Sequence, residues 1–182
     1  MVWQNITSYS KMIFDFSIII WLFPVVFMLH EFEEIIFMKY WINKNKAFLS
    51  NKFPKISERF LSHFDNLSTP AFTVAVAQEF ILLAVITIVS VVSDTYLLWL
   101  GMFMVFFAHL LVHLILWRYI PAIYTTIVSL AYCLFSLTYM IENNIFQVKD
   151  ILLWTVISFV IIAVNLIFAH KLAFWFDKKF KK

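Results

Sequence analysis

Residues 71–92 read AFTVAVAQEFILLAVITIVSVV, an apolar run of 22 residues with a single ionisable side chain, Glu79. About 20 helical residues span the roughly 30 Å hydrocarbon core of a bilayer, and a helix satisfies its own backbone hydrogen bonds there. The run therefore predicts a transmembrane helix. Its one acid needs a reason to be there, because an ionisable side chain at the centre of a span costs about 2.5–3.5 kcal/mol.

The whole chain has the same apolar character. Of its 182 residues 63% are hydrophobic and only 14% are charged, and the mean hydropathy is +0.88. Soluble domains contain roughly 45–50% apolar residues, and a chain this apolar could not cover a surface exposed to water. The composition excludes a soluble enzyme, a disordered segment and a nucleic-acid partner. The single cysteine, Cys133, excludes an intrachain disulfide and a cysteine zinc cluster.

Five stretches are long and apolar enough to cross a bilayer, which predicts an all-α, polytopic membrane helix bundle forming one transmembrane domain over residues 1–182. The predicted spans are residues 13–38, 71–92, 96–117, 121–141 and 151–176.

The long connection between the first two spans carries apolar residues at helical spacing, including Phe53, Ile56, Phe60 and Phe64. This pattern predicts a short helix at residues 53–64 lying in the membrane interface. The alternative is an ordinary amphipathic helix packed on the ends of the bundle.

The distribution of positive charge predicts the orientation, because Lys and Arg collect in cytoplasmic loops. All but two of the 14 Lys and Arg residues fall in the connections after the first and third spans or at the end of the chain; the exceptions are Lys11 and Lys149. We expect an integral membrane protein, in the plasma membrane, with its N-terminus outside and its C-terminus in the cytoplasm.

Ionisable side chains occur inside three of the spans. On the first span, Glu33 and Glu34 follow His30 by three and four positions, so all three project from one face of a helix, whereas Glu31 points about a quarter-turn away. On the third span, His109 and His113 are stacked by a separation of four.

These groups also lie at similar depths. His30 comes nine residues before Lys39, Glu79 nine after Pro70 and His109 nine before Arg118. At about 1.5 Å per residue, all three lie roughly 13 Å inside the cytoplasmic boundary. The outer halves of the spans are almost entirely apolar, so we expect a blind cavity open towards the cytoplasmic leaflet.

Imidazoles and carboxylates in this combination suit Zn²⁺ or non-haem iron. The His30-x-x-Glu33-Glu34 segment is close to the inverted zincin pattern H-x-x-E-H; a carboxylate-bridged di-metal site of the helix-bundle type is an alternative. Glu33 is then the expected general acid or base, and Arg118 the contact for a phosphate or carboxylate headgroup. The expected metal ligands are His30, Glu34, Glu79, His109 and His113.

The His30-Glu31-Phe32-Glu33-Glu34 stretch resembles the signature of the HXXEE-domain proteins, a family of small membrane proteins also marked by an Asn-Ala-x-x-His motif and an arginine. The second motif aligns with residues 109–113, where His109 replaces the asparagine and Leu110 the alanine. Only His113 of that motif therefore carries over. The resemblance covers roughly residues 16–176 and implies a membrane domain without implying an activity; it groups His30, Glu33, Glu34, His113 and Arg118 as one set.

Three functions fit these features. The first is a metal-dependent, hydrolase-like enzyme acting on a lipid or isoprenoid-like substrate from the cytoplasmic leaflet, with membrane lipids as further partners. The second is a metal-free acid/base isomerase or cyclase of terpenoid or sterol-like molecules, with Glu33 or Glu79 as the acid. The third is a proton-coupled carrier or ion-binding membrane protein. A purely structural hydrogen-bond network among the same residues is the alternative to all three, and the oligomeric state is left open.

Overall fold

The computed structural model describes residues 2–52, 54, 67–117 and 120–180, with side chains from Phe16 onwards. These residues form helices and short turns, with no strand among them. Each helix contains a stretch long and apolar enough to cross a membrane, so the predicted all-α membrane bundle is confirmed. The five helices are α1 Val2–Lys52, α2 Thr69–Ser93, α3 Leu97–Ile115, α4 Ile123–Glu142 and α5 Val148–Phe180.

Helix α1 is longer than the span predicted within it, because it continues without interruption to Lys52. Its last part carries Met38, Ile42 and Leu49 on one buried face, which packs against Phe72 of α2. Apart from Pro54, the interfacial helix predicted at residues 53–64 lies outside the described residues.

The start of α2 and the end of α5 lie at the same end of the bundle. Ser68 caps α2 by accepting a hydrogen bond from the Ala71 N–H at 3.2 Å, with Pro70 in the first turn. The buried carboxylate of Asp177 on α5 accepts from the Ser68 N–H at 2.8 Å and from the Ser68 hydroxyl. This junction ties the fifth helix to the second.

At the opposite end of the bundle, aromatic side chains from three parts of the chain pack together. The Phe16 ring on α1 lies 5.3 Å from Tyr96, in the turn before α3, and 5.9 Å from Phe146, in the turn before α5. Successive helices therefore run in alternating directions, as required of a chain that crosses a bilayer five times.

Large side chains fill the space between α1 and α3. Phe23 packs edge-on against Trp99 and Phe103, with ring centroids 5.6 Å apart in both pairs, and all three residues are fully buried. Because aromatic rings separate these two helices, side chains from both can project into the space between them. The His/Glu groups occupy that space about two to three turns further along α1.

Candidate metal centre

Four side chains from α1 and α3 converge at one point. His30 and Glu34 come from α1, and His109 and His113 come from α3; one potential ligand atom of each lies within 4.8 Å of those of the others. The His30 Nε2 is 3.2 Å from the His109 Nε2, and the His113 Nε2 is 3.0 Å from the Glu34 Oε1. Within α1 the His30 Nε2 and the Glu34 Oε1 are 3.7 Å apart.

The helical repeat places these residues. A separation of four positions stacks His30 over Glu34 on α1 and His109 over His113 on α3. The Phe106 ring packs against both His30 and His109, with centroids 5.9 and 6.4 Å away, and so limits the orientations of the two imidazoles. Two stacked pairs that face each other across an aromatic spacer produce the four-residue cluster.

The outer nitrogen of His113 has a fixed partner. Its Nδ1 is 3.1 Å from the Pro121 carbonyl oxygen, which only accepts, so the Nδ1 carries the hydrogen and donates. In a neutral ring the Nε2 is then an acceptor, yet it faces a carboxylate oxygen of Glu34 at 3.0 Å. Two acceptors at this distance repel each other unless a proton or a metal cation lies between them.

His30 is held in a similar way by a chain of two further residues. The hydroxyl of Thr125 donates to the Glu33 Oε2 at 2.7 Å, which leaves its oxygen lone pairs for the His30 Nδ1 at 3.4 Å. Histidine ligands of metals commonly donate their second N–H to a carbonyl, carboxylate or hydroxyl, and this fixes the tautomer and the ring orientation. Both buried imidazoles thus direct their Nε2 atoms into the cluster.

Glu33 also caps helix α4. It accepts the backbone N–H of Thr125 at 2.7 Å, and Thr125 is the third residue of that helix. The residue before the helix, Ala122, has a left-handed backbone and no side chain that could cap it. A carboxylate from α1 therefore supplies the missing acceptor at the positive end of the helix dipole.

The cluster has the dimensions of a tetrahedral metal site. Ligand atoms about 2.0–2.1 Å from Zn²⁺ at the corners of a tetrahedron stand roughly 3.3–3.4 Å apart. Three of the six distances among the four atoms, 3.0, 3.2 and 3.7 Å, lie around that value, and all six are within 4.8 Å. Three imidazoles with one carboxylate form a donor set suited to zinc or non-haem iron.

A cavity of about 400 Å³ adjoins the cluster and lies between α1, α2, α3 and α5. His109 belongs both to its wall and to the cluster. Glu31, Glu79 and Asn165 line the same end of the cavity as His109, while the rest of the wall is apolar. The apolar wall includes Phe23, Leu83, Met102, Phe106, Phe159 and Ile162.

The three acids predicted for the site occupy three different positions in the structure. Glu34 lies in the cluster, Glu79 lies in the cavity wall, and Glu33 lies beyond the outer edge of the His30 ring. Glu79 is not one of the four clustered residues. Arg118, predicted to contact a headgroup, lies outside the described residues.

Sequence reasoning placed Glu31 away from the site, but the structure places it in the cavity. Its side chain is buried and lines the cavity with Glu79. The quarter-turn that separates it from His30 directs it towards α2 instead of α3. The depth match between Glu31 and Glu79 was the signal in the sequence that could have found this pair.

Comparison with known proteins gives one match. The profile of a family described as "Protein of unknown function with HXXEE motif" matches residues 21–137, which include both the His30 to Glu34 segment and His113. Searches of curated proteins and of solved structures found no match. The matched region covers more than half of the 182 residues, so the chain belongs to the HXXEE-motif family.

Proposed function

We propose that this protein is a metal-dependent membrane enzyme in which His30, Glu34, His109 and His113 hold one Zn²⁺ or iron ion. The observation that carries the proposal is the convergence of four donor atoms within 4.8 Å of one another, directly beside a cavity of about 400 Å³. Buried acceptors that face each other need a proton or a metal cation between them, and the distances are compatible with a metal. The substrate is then a lipid or isoprenoid-like molecule bound in the cavity.

A metal at this position would supply an activated water, which makes hydrolysis the favoured reaction class. The chain's own residues supply proton transfer and water exclusion. Glu31 and Glu79 lie in the cavity wall on the same side as His109, where either carboxyl group can exchange a proton with a bound molecule. We assign this role to them in preference to Glu33, whose Oε2 is occupied by the two donors of Thr125.

The competing arrangement contains no metal. A protonated His113 would donate to both the Pro121 carbonyl and Glu34, and the His109 Nε2–H would donate to the His30 Nε2. Every distance in the cluster is compatible with that network. It predicts a positively charged His113 and no bound transition metal, so metal analysis separates the two arrangements.

Metal content of the purified protein is the direct test. Wild-type protein purified without chelators should carry about one equivalent of zinc or iron, and Glu34→Gln should lose most of it because the only anionic ligand is gone. Glu142→Gln, at an exposed position of α4, is the matched control and should keep its metal. Less than about a tenth of an equivalent in the wild type, with Glu34→Gln behaving identically, would falsify the metal site.

Cobalt substitution tests the geometry. Co²⁺ loaded into metal-depleted protein should give the strong visible absorption of a four-coordinate site, and His113→Ala should abolish it. Absorption typical of an octahedral ion, unchanged in that variant, contradicts binding by the four clustered residues.

We also propose the orientation that the charge pattern predicts, with the N-terminus outside the cell, the C-terminus in the cytoplasm and the protein in the plasma membrane. The cluster would then lie in the cytoplasmic half of the bilayer, nearer to the end of α1 that continues towards Lys39.

A further inference from the structure

We infer that the cavity binds a single-chain amphiphile with an uncharged hydroxyl headgroup, held between the acids Glu31 and Glu79 and the amide of Asn165, with its chain extending away from the cluster. This inference rests on the proposed function, because the amphiphile would be the substrate of the enzyme. Four observations support it: the distribution of polar groups in the cavity, the cavity's length, its volume, and the buried Nδ2 donor of Asn165, which has no hydrogen-bond partner among the described residues.

The cavity is polar at one end only. Glu31, Glu79, His109 and Asn165 come from four different helices, yet all lie towards the cytoplasmic end proposed above. Beyond them the wall consists of aliphatic and aromatic side chains, including Leu83, Met102 and Phe159. A ligand that matches this wall has one polar end and one apolar chain.

The cavity is long and narrow. Its lining residues on α3 run from Met102 to Val112, a distance of about 15 Å at about 1.5 Å per residue, which equals an extended alkyl chain of roughly a dozen carbons. A volume of about 400 Å³ lies at the low end of small-molecule sites, which are roughly 300–1,000 Å³. A space of this length and volume holds one alkyl chain, and the second chain of a diacyl phospholipid would have to lie outside it.

The polar end selects the headgroup. A phosphate or a carboxylate would lose its hydration in this cavity, and no Lys or Arg side chain among the described lining residues compensates that loss. Asn165 accepts from the Gln78 Nε2 at 2.9 Å, while its own buried Nδ2 has no hydrogen-bond partner among the residues that the structure describes. A hydroxyl group can donate to an acid and accept from this amide, whereas an ammonium group can only donate.

Photocrosslinking in lipid nanodiscs tests the inference with a twelve-carbon alcohol that carries a diazirine at its far end. Peptide mapping should place the label on the apolar end of the cavity, near Leu83, Met102 and Phe159. Excess dodecanol should reduce that labelling at least fivefold, and dodecanoate at the same membrane concentration should reduce it less than twofold. Dodecylamine should fall between the two.

Variants at the cavity provide the controls. Ala163→Trp fills the cavity and should abolish the mapped labelling, while Ala131→Trp, at an exposed position of α4, should leave it unchanged. Retained metal in Ala163→Trp shows that this variant is folded. In the double variant Glu31→Gln and Glu79→Gln, dodecanoate should become an effective competitor because the Gln amides can donate hydrogen bonds to its carboxylate.

The outcomes separate this inference from the proposed function. Labelling that spreads over the lipid-facing surface and is insensitive to Ala163→Trp overturns the cavity ligand, even if the protein binds metal. Equal competition by dodecanoate and dodecanol overturns the headgroup. Specific labelling of both the wild type and His113→Ala, in a protein that contains no metal, would support the amphiphile site and contradict the metal-dependent enzyme.

Discussion

At the scale of single residues, Thr125 connects two functions of the α1–α4 contact. Its backbone N–H and its hydroxyl both donate to Glu33 at 2.7 Å, and its hydroxyl oxygen lies 3.4 Å from the Nδ1 of His30. The first bond caps a helix, and the other two orient a proposed ligand. One carboxylate therefore serves both the stability of α4 and the tautomer of His30.

Replacing Thr125 by valine separates these functions. The variant keeps the side-chain shape and the backbone hydrogen bond to Glu33, but it removes the hydroxyl that orients His30. We expect metal affinity to fall about tenfold, as is usual when an outer partner of a histidine ligand is removed, with little change in the unfolding midpoint. Chelator competition measures the affinity. Thr138→Val, at an exposed position of the same helix, should have no effect; an equal loss in both variants would mean that the hydroxyl has no special role.

At the scale of helices, the contact between α3 and α5 depends on the only glycine in the chain. A Cβ at Gly101 would overlap the Oγ of Ser158 and the carbonyl oxygen of Trp154. Small residues let membrane helices approach closely, because lipid offers little hydrophobic force to drive them together. Helix α5 also forms one wall of the cavity.

Gly101→Ala should therefore destabilise the bundle although alanine is the better helix former. We expect a loss of about 1–3 kcal/mol from overpacking against backbone, which outweighs the gain of roughly 1 kcal/mol in helix propensity. Adding Ser158→Ala should recover part of the loss by removing one of the overlapping atoms. Reversible unfolding in mixed micelles gives the free energies. A stabilised Gly101→Ala protein would show that α3 and α5 are not in close contact.

At the scale of the whole molecule, the polar residues are gathered in one part of an apolar bundle. The cluster and the polar end of the cavity lie in the half that contains the α2–α5 junction at Ser68 and Asp177. The opposite half contains the aromatic packing around Phe23 and Trp99.

Cysteine labelling of intact cells tests the proposed orientation. In a Cys133→Ser background, Thr95→Cys and Asn143→Cys in the two turns at one end should react with an impermeant maleimide from outside. Asn51→Cys and Lys178→Cys, at the other end, should react only after permeabilisation. All four positions are exposed, so differences in labelling report sidedness instead of burial. The reverse pattern would invert the protein and place the cluster towards the exterior.

The sequence by itself determined the fold class and the presence of the polar set. Length and hydropathy are additive along the chain, so they predict five spans without knowledge of packing. A spacing of four places His30 with Glu34, and His109 with His113, on any helix whatever its neighbours, and equal depth makes a meeting between the two pairs possible. The family resemblance carried by residues 30–34 is confirmed by the match over residues 21–137.

Only the tertiary structure decided which way each of these faces turned. Rotating a helix about its own axis does not change its hydropathy, so the sequence pattern does not set the rotation. Contacts such as Phe23 with Trp99 and Tyr132 with the Ile19 carbonyl set it. Those contacts direct Glu34 into the cluster, Glu31 into the cavity and Glu33 to the end of α4. Three acids within four residues thus acquire three different surroundings, because a helix turns by about 100° per residue and its neighbours differ on every side.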